Sequence, residues 1–313
     1  MMHVAVVGTG VAARVLTSPG DVLGQPVDPT ARFDPATLLG GRGLRYKDRA
    51  TRLGLLAANR ALADAGLLDA TGTTVPAASV GVVVSSNLGN LDTVCRTAGA
   101  IATGSVTDAA PMDLPNASSN VVASSIAIRF GLRGPNVMVC NGPSSGLDAA
   151  FLAASLILAC RVPRVVLVGV EPVNDVVEHL ADDPAGDLFD GAAAAVLESE
   201  TSATARGAVP LARLGGYARR TTTDASVDRA LGAGPPPGLW FAGRATAAPP
   251  AVADVCRKDL EAELGAASGA LGVLQVVAGT CWLGAEAGPA LATAGDPADG
   301  VSSLLLTTAG AAA

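Results

Sequence analysis

Chemistry could sit where a β-branched strand pattern gives way abruptly to an apolar helix pattern. Residues 136–140 read NVMVC, Asn141-Gly142-Pro143 turn the chain, and residues 144–160 have helical spacing with apolar side chains on nearly every side. A helix that starts at such a turn points unpaired N–H groups and a positive dipole end at it. A thiol held there has a lowered pKa, and an oxyanion formed there is stabilised. The residue at that position is Pro143. Proline has no nucleophilic atom, and its fixed φ suits the first turn of a helix instead.

The neighbouring hydroxyl is the next possibility. Gly142-Pro143-Ser144-Ser145-Gly146 fits the GxSxG elbow of serine hydrolases and acyltransferases, at a strand-to-helix turn as that motif requires. Ser144 would need an imidazole. The chain has 2 histidines, His3 and His179, and only His179 lies downstream. His179 with Glu178, Asp182 and Asp183 is one imidazole among carboxylates, which reads as a solvated loop or helix end, so no metal is expected. Gly8-Thr9-Gly10 follows a strand pattern at residues 4–7, but Ala13 stands where a dinucleotide loop needs a third glycine. A tight turn is the expectation there.

The elements that must hold the turn alternate between the two periods. Strands are expected at 79–85, 164–169, 190–198, 211–218, 239–242 and 303–308, and helices at 50–65, 91–103, 116–130 and 265–281. Residues 221–238 read as a loop ending in three prolines. Strands buried on both faces and alternating with helices argue an α/β fold with mostly parallel sheets. The two apolar helices, one in each part of the chain, should be buried and should join two similar halves through a shared helical layer.

Half of the 313 residues are apolar, enough for a sizeable core, and the formal charge of −7 argues against a nucleic-acid surface. The one basic tract is Arg42, Arg45, Lys47, Arg49, Arg52 and Arg60, which could receive an acidic partner or be a solvated helix face. The 5 cysteines, at 95, 140, 160, 256 and 281, form no CxxC, and their odd number suits a reducing compartment. Small and apolar neighbours place most of them in the core. Without a basic n-region or a run of roughly 18 apolar residues, the expectation is a soluble cytoplasmic protein with no membrane contact.

A longer pattern surrounds the elbow. Gly131-Leu132-Arg133-Gly134-Pro135 precedes the strand and Ser145-Gly146 closes the turn. Asp64-Ala65-Gly66, Pro115, Asn120, Gly169, Glu171, Asp190-Gly191-Ala192 and Leu197-Glu198 extend the pattern over about residues 1–200 with few gaps. In these residues the chain resembles the β-ketoacyl synthases of the thiolase fold. The resemblance implies two βαβ-rich halves in a layered αβαβα arrangement, an N-terminal half at 1–200 and a shortened C-terminal half at 201–313. It also implies that the family's catalytic cysteine falls on Pro143. One catalytic histidine falls on Gly243, after the strand-like Leu239-Trp240-Phe241-Ala242. The other falls on Glu263, ahead of the alanine- and glycine-rich helix at 266–272. The family's glycine-rich C-terminal tail is abbreviated to Thr307-Thr308-Ala309-Gly310.

The resemblance is nearest to the chain-length factor of type II polyketide synthases, a homologue that lacks the cysteine and pairs with an active ketosynthase. Such subunits usually carry glutamine where Pro143 stands. What the resemblance implies is a dimer through the strand at 136–140, acyl groups delivered by an acyl carrier protein, no cofactor, and an acyl pocket near the interface. Leu88 and Asp113, with Leu91, Met112 and Leu114, fall on the pocket positions. A homodimeric binding or regulatory protein of the same fold, and a serine hydrolase using Ser144, are the alternatives.

Overall fold

The computed structural model describes residues 3–14, 16–24, 33–40, 43–181, 188–243, 246–285 and 288–309. Five strands come first: β1 (Val4–Ala13), β2 (Val80–Ser85), β3 (Asn136–Val139), β4 (Arg164–Glu171) and β5 (Gly191–Ser199). Five more follow: β6 (Ala212–Arg220), β7 (Leu239–Phe241), β8 (Cys256–Lys258), β9 (Ala290–Asp296) and β10 (Gly300–Thr307). They pair in the order β8-β7-β9-β10-β6-β1-β5-β4-β2-β3. The seam is the β1–β6 pairing, Ala5 opposite Arg213 and Val6 opposite Ala212.

Outward from that seam the two halves repeat one pattern. β1-β5-β4 pair antiparallel and β4-β2-β3 parallel. β6-β10-β9 pair antiparallel and β9-β7-β8 parallel. The sheets are therefore mixed, with parallel strands outermost. The six longest helices among the described residues are α1 (Arg49–Asp64), α2 (Leu91–Thr103), α3 (Val121–Phe130), α4 (Ser145–Leu158), α5 (Thr223–Leu231) and α6 (Leu271–Ala285).

Alternation along the strands assigns the layers. In β4, Val165 and Leu167 join α4 and α6 in the central apolar cluster, while Val166, Val168 and Val170 face α1 and α3. On the far side, Trp240 and Leu291 pack with Val227 and Ala230 of α5. The order is helices, sheet, α4 with α6, sheet, helix, which is the αβαβα layering of the thiolase fold. Ser268–Ala285 is the one stretch among the described residues long and apolar enough to cross a membrane, and 72% of it is buried inside the protein.

Several expectations change. β1 runs through Gly8-Thr9-Gly10 with an irregularity between Val6 and Gly8, so no tight turn forms there. A Cβ on Gly8 would lie 2.6 Å from Ala65 N and one on Gly10 2.6 Å from Ala61 N, so these glycines admit α1 against the strand. The expected loop at 221–238 contains α5, capped by the Thr222 hydroxyl. The 116–130 helix divides into a turn at Asp113–Asn116 and α3. Gly295 and Gly300 flank the turn between β9 and β10, and Gly310 of the expected tail lies outside the described residues. The cysteines are free thiols, and Cys95, Cys140, Cys160 and Cys256 are exposed because they sit on α2, at two element ends and on an edge strand; Cys281 is half-buried.

Candidate functional site

The elbow between β3 and α4 is held by side chains from both halves. Gly142 has φ +70°, a left-handed conformation that a side chain would strain. The Asn141 N–H donates to Ser145 Oγ at 2.6 Å, and Ser145 Oγ donates to Gly142 O at 2.7 Å and to Asn87 Oδ1 at 3.0 Å. The same Asn87 donates through Nδ2 to Gly142 O at 2.9 Å and to Ser268 Oγ at 2.8 Å. Ser268 opens the turn that leads into α6 and has φ +42°. One amide side chain thus pins the elbow of the first half to the helix mouth of the second. The helices cross tightly, since a Cβ on Gly146 would lie 2.7 Å from Gly272 Cα.

Glu171 lies behind Asn87 at the end of β4 and is 2% exposed. It accepts from Ser86 Oγ (3.1 Å) and from the N–H groups of Asn87 (2.7 Å), Leu88 (3.0 Å) and Gly269 (3.0 Å). Burial pushes its carboxyl up to about 7, against the pull of these donors. The other flank is organised by Asp148, in the first turn of α4. It accepts from Asn141 Nδ2 (2.6 Å), Ser144 Oγ (2.9 Å), Tyr217 Oη (2.6 Å), Arg219 Nη1 (2.7 Å) and Ser302 Oγ (2.5 Å). Burial, and then the Asp148 carboxylate, hold the Tyr217 phenol well above its ordinary range, so it stays a donor.

Pro143 stands at the elbow position ahead of α4, with no nucleophilic atom and no N–H. Gly243 lies two residues past the end of β7 and offers no side chain. Glu263 does not face the elbow. It belongs to the separate helix Leu260–Leu264, where its 44%-exposed carboxylate pairs with Lys258 at 2.7 Å. The residue brought across to the elbow is Ser268. Residues 263–270 contain no histidine, so no imidazole is available there in any register. Ser144 is 1% exposed and its hydroxyl lies on Asp148 and Asn141 O, and among the described residues no imidazole hydrogen-bonds it.

Of the pocket positions, only Leu88 lies at the elbow, its N–H on Glu171. Leu91 opens α2, Asp113 pairs with Arg96 at 2.9 Å, and Met112 and Leu114 are 52% and 50% exposed. In the basic tract, Arg49 forks onto Asp190 and Arg60 bonds Val11 O, so both hold the fold together. Arg45 stacks on Tyr46, Arg52 bonds Arg45 O, and Arg42 lies outside the described residues, as do Asp182 and Asp183. Among the described residues no cluster of histidine, cysteine and carboxylate could hold a metal.

Sequence reasoning missed Asn87, Asp148, Tyr217, Arg219, Ser268 and Ser302. One signal was available, because Asp148 is the lone charge in the apolar run of α4. The others come from elements far apart in sequence.

Comparison with known proteins gives consistent relatives. Residues 9–189 match the family model described as beta-ketoacyl synthase, N-terminal domain. The 3-oxoacyl-[acyl-carrier-protein] synthase 2 of Vibrio harveyi is 29% identical over 208 residues, which are 59% of this chain and 49% of that protein. The chain therefore spans about half the length of this curated relative. Among solved structures, the ishigamide ketosynthase/chain length factor matches 98% of this chain and 100% of its own at 23% identity, with a TM-score of 0.74. The ketosynthase complex AntDE:AntF, a type II polyketide synthase acyl-carrier protein with its ketosynthase bound to the hexaketide, matches 98% of this chain and 99% of its own at 16% identity, with a TM-score of 0.79.

Proposed function

Because the chain belongs to the β-ketoacyl synthase family, whose N-terminal domain it matches over residues 9–189, we propose that it is a non-catalytic subunit of such a synthase. In this reading it is a chain-length factor that pairs with an active ketosynthase and shapes the acyl-chain pocket in type II polyketide biosynthesis. The observation that carries the reading is the elbow, intact in backbone and emptied of chemistry. Decarboxylative condensation needs a thiolate to carry the acyl chain and imidazoles to stabilise the enolate. Pro143, Gly243 and the histidine-free stretch 263–270 provide neither. Proline also removes an N–H that could serve an oxyanion, a loss worth about 3 kcal/mol.

The edges of the ladder support pairing. Val82 N–H donates to Pro135 O and Ser86 N–H to Val139 O, so alternate residues of β3 face β2. Asn136, Met138 and Cys140 then turn their N–H and C=O groups to the open edge. That edge reads Asn-Val-Met-Val, and an apolar open edge invites a strand from another chain. The opposite edge, β8, reads Cys-Arg-Lys, the kind of charged edge that discourages pairing. The acyl groups would come from an acyl carrier protein, in the cytoplasm, with Arg45, Lys47 and Arg52 as the part of the basic tract left to meet it. A cofactor is not called for.

The test is the native mass of the chain co-expressed with an intact ketosynthase encoded beside it. A stable 1:1 complex, together with product lengths that change on substitution of Leu88 or Asp113, supports the reading. A homodimer that ignores the ketosynthase overturns it in favour of a binding or regulatory protein.

A further inference from the structure

Helix α4 is apolar on nearly every side, yet Phe151 and Leu158, two turns apart, are each 48% exposed. Phe151 is not a loose side chain. One face of its ring stacks on Tyr217 of β6, with centroids 4.2 Å apart and planes 11° from parallel. The Tyr217 hydroxyl is in turn fixed by Asp148, which takes donors from Asn141, Ser144, Arg219 and Ser302 as well. Arg219 is braced again by Asp299 O. A rigid support built from both halves therefore holds a large apolar ring half in solvent, at no use to this chain's own core.

The position of the ring names its occupant. α4 packs against β2, β4 and β5 and reaches β3, the outermost strand of the first half, while Phe151 itself lies against Tyr217 of β6. An open edge accepts a β-strand, and an apolar helix face beside it accepts a second helix, a combination that another chain of this fold supplies with its own β3 and α4. We infer that Phe151, propped through Tyr217 on the Asp148 cluster, is the anchor on which a second thiolase-fold chain, the ketosynthase subunit, docks beside β3. The inference rests on the pairing proposed above and adds the residue that dominates its strength. Rigid aromatic side chains held in place before contact lose little freedom on binding, and interface energy concentrates on such residues.

The test is the dissociation constant of the complex for four variants, with the thermal midpoint of each isolated chain measured alongside. Phe151→Ala and Phe151→Leu, the second keeping apolar volume while losing the stack, should each weaken pairing more than tenfold. Tyr217→Phe, which keeps the ring and removes the prop to Asp148, should weaken it several-fold. Leu158→Ala, equally exposed but unsupported, should weaken it less than threefold. Wild-type affinity in Phe151→Leu, or equal losses at Phe151 and Leu158, overturns the anchor. If the wild-type chain ignores the ketosynthase but dimerises with itself, the pairing proposal fails. The same series read on the homodimer then decides the anchor, which stands if the Phe151 variants dissociate it. A wild-type chain that stays monomeric in every mixture overturns both.

Discussion

Helices α4 and α6 occupy equivalent places in the two halves, each preceding the strand that pairs with both an antiparallel and a parallel neighbour, and they lie side by side in the central layer. Their sequences are alike in apolar content. α6 is buried along its length from Leu271 to Thr280, between β4 and β5 on one side and β9 on the other. α4 buries Leu147, Ala149, Ala150, Ala153 and Ile157 and leaves Phe151 and Leu158 half in solvent. The outermost strands differ in the same sense, β3 apolar and β8 basic. The two halves repeat one pattern of pairing, but the central helix of the C-terminal half is covered by strands of both halves, while that of the N-terminal half keeps two large apolar side chains half-exposed. That asymmetry fits a subunit whose function lies in what covers it.

The comparison can be broken most severely at the edge. Met138→Pro removes an N–H that faces away from β2, so the ladder inside the chain survives while the open edge loses a donor. Pairing with the ketosynthase should be lost at micromolar concentrations, as seen by native mass, with the isolated chain still folded. The corresponding break in the C-terminal half is Leu274→Ala in α6, a fully buried side chain. It should cost about 2–5 kcal/mol in urea unfolding of the isolated chain, whereas Leu158→Ala in α4 should cost under about 1 kcal/mol.

The junction of the halves gives a smaller, pH-dependent effect. The folded Glu171 carboxyl sits near 7 against 4.5 for the free group, so between those values the folded chain binds more protons than the unfolded one. Stability should therefore fall as pH rises through that window, by at most about 3 kcal/mol. Urea midpoints from pH 4.5 to 8 should show this slope in the wild type and lose it in Glu171→Gln. A rising slope in the wild type would mean that the four donors outweigh burial.

The smallest expected effect is none. Pro143→Cys restores a thiol at the elbow but supplies no imidazole, and the variant should release no CO2 from a malonyl thioester above background. Measurable condensation would show that the elbow keeps more catalytic capacity than its side chains suggest.

Much of the first half was legible. The β-branched runs at 80–85 and 164–171 are buried on both faces, so their composition announces them, and the elbow stands out because a strand gives way to a helix within a few residues. The second half was harder to read. α5 is a single short amphipathic stretch beside glycines and prolines, stabilised by packing Val227 and Ala230 against β6 and β10 rather than by local preference. β8 looks like a polar loop because an edge strand needs only one ladder partner. The family resemblance assigns a histidine position to Glu263, but the separate helix Leu260–Leu264 carries it out to Lys258.

The sequence by itself determined that Pro143, Gly243 and residues 263–270 bring no thiol and no imidazole. A thiol or an imidazole must be present in the chain before any fold can position it, and neither stands at these positions. Which apolar surfaces are covered was decided only by the tertiary structure. Composition makes α4 and α6 equally averse to water, but burial needs a partner surface: both lie between the sheets in the central layer, yet α6 is covered from Leu271 to Thr280 while α4 keeps Phe151 and Leu158 half in solvent. The Asp148 cluster was decided in the same way. Its donors come from residues 141, 144, 217, 219 and 302, which only the packing of one half on the other brings to a single carboxylate.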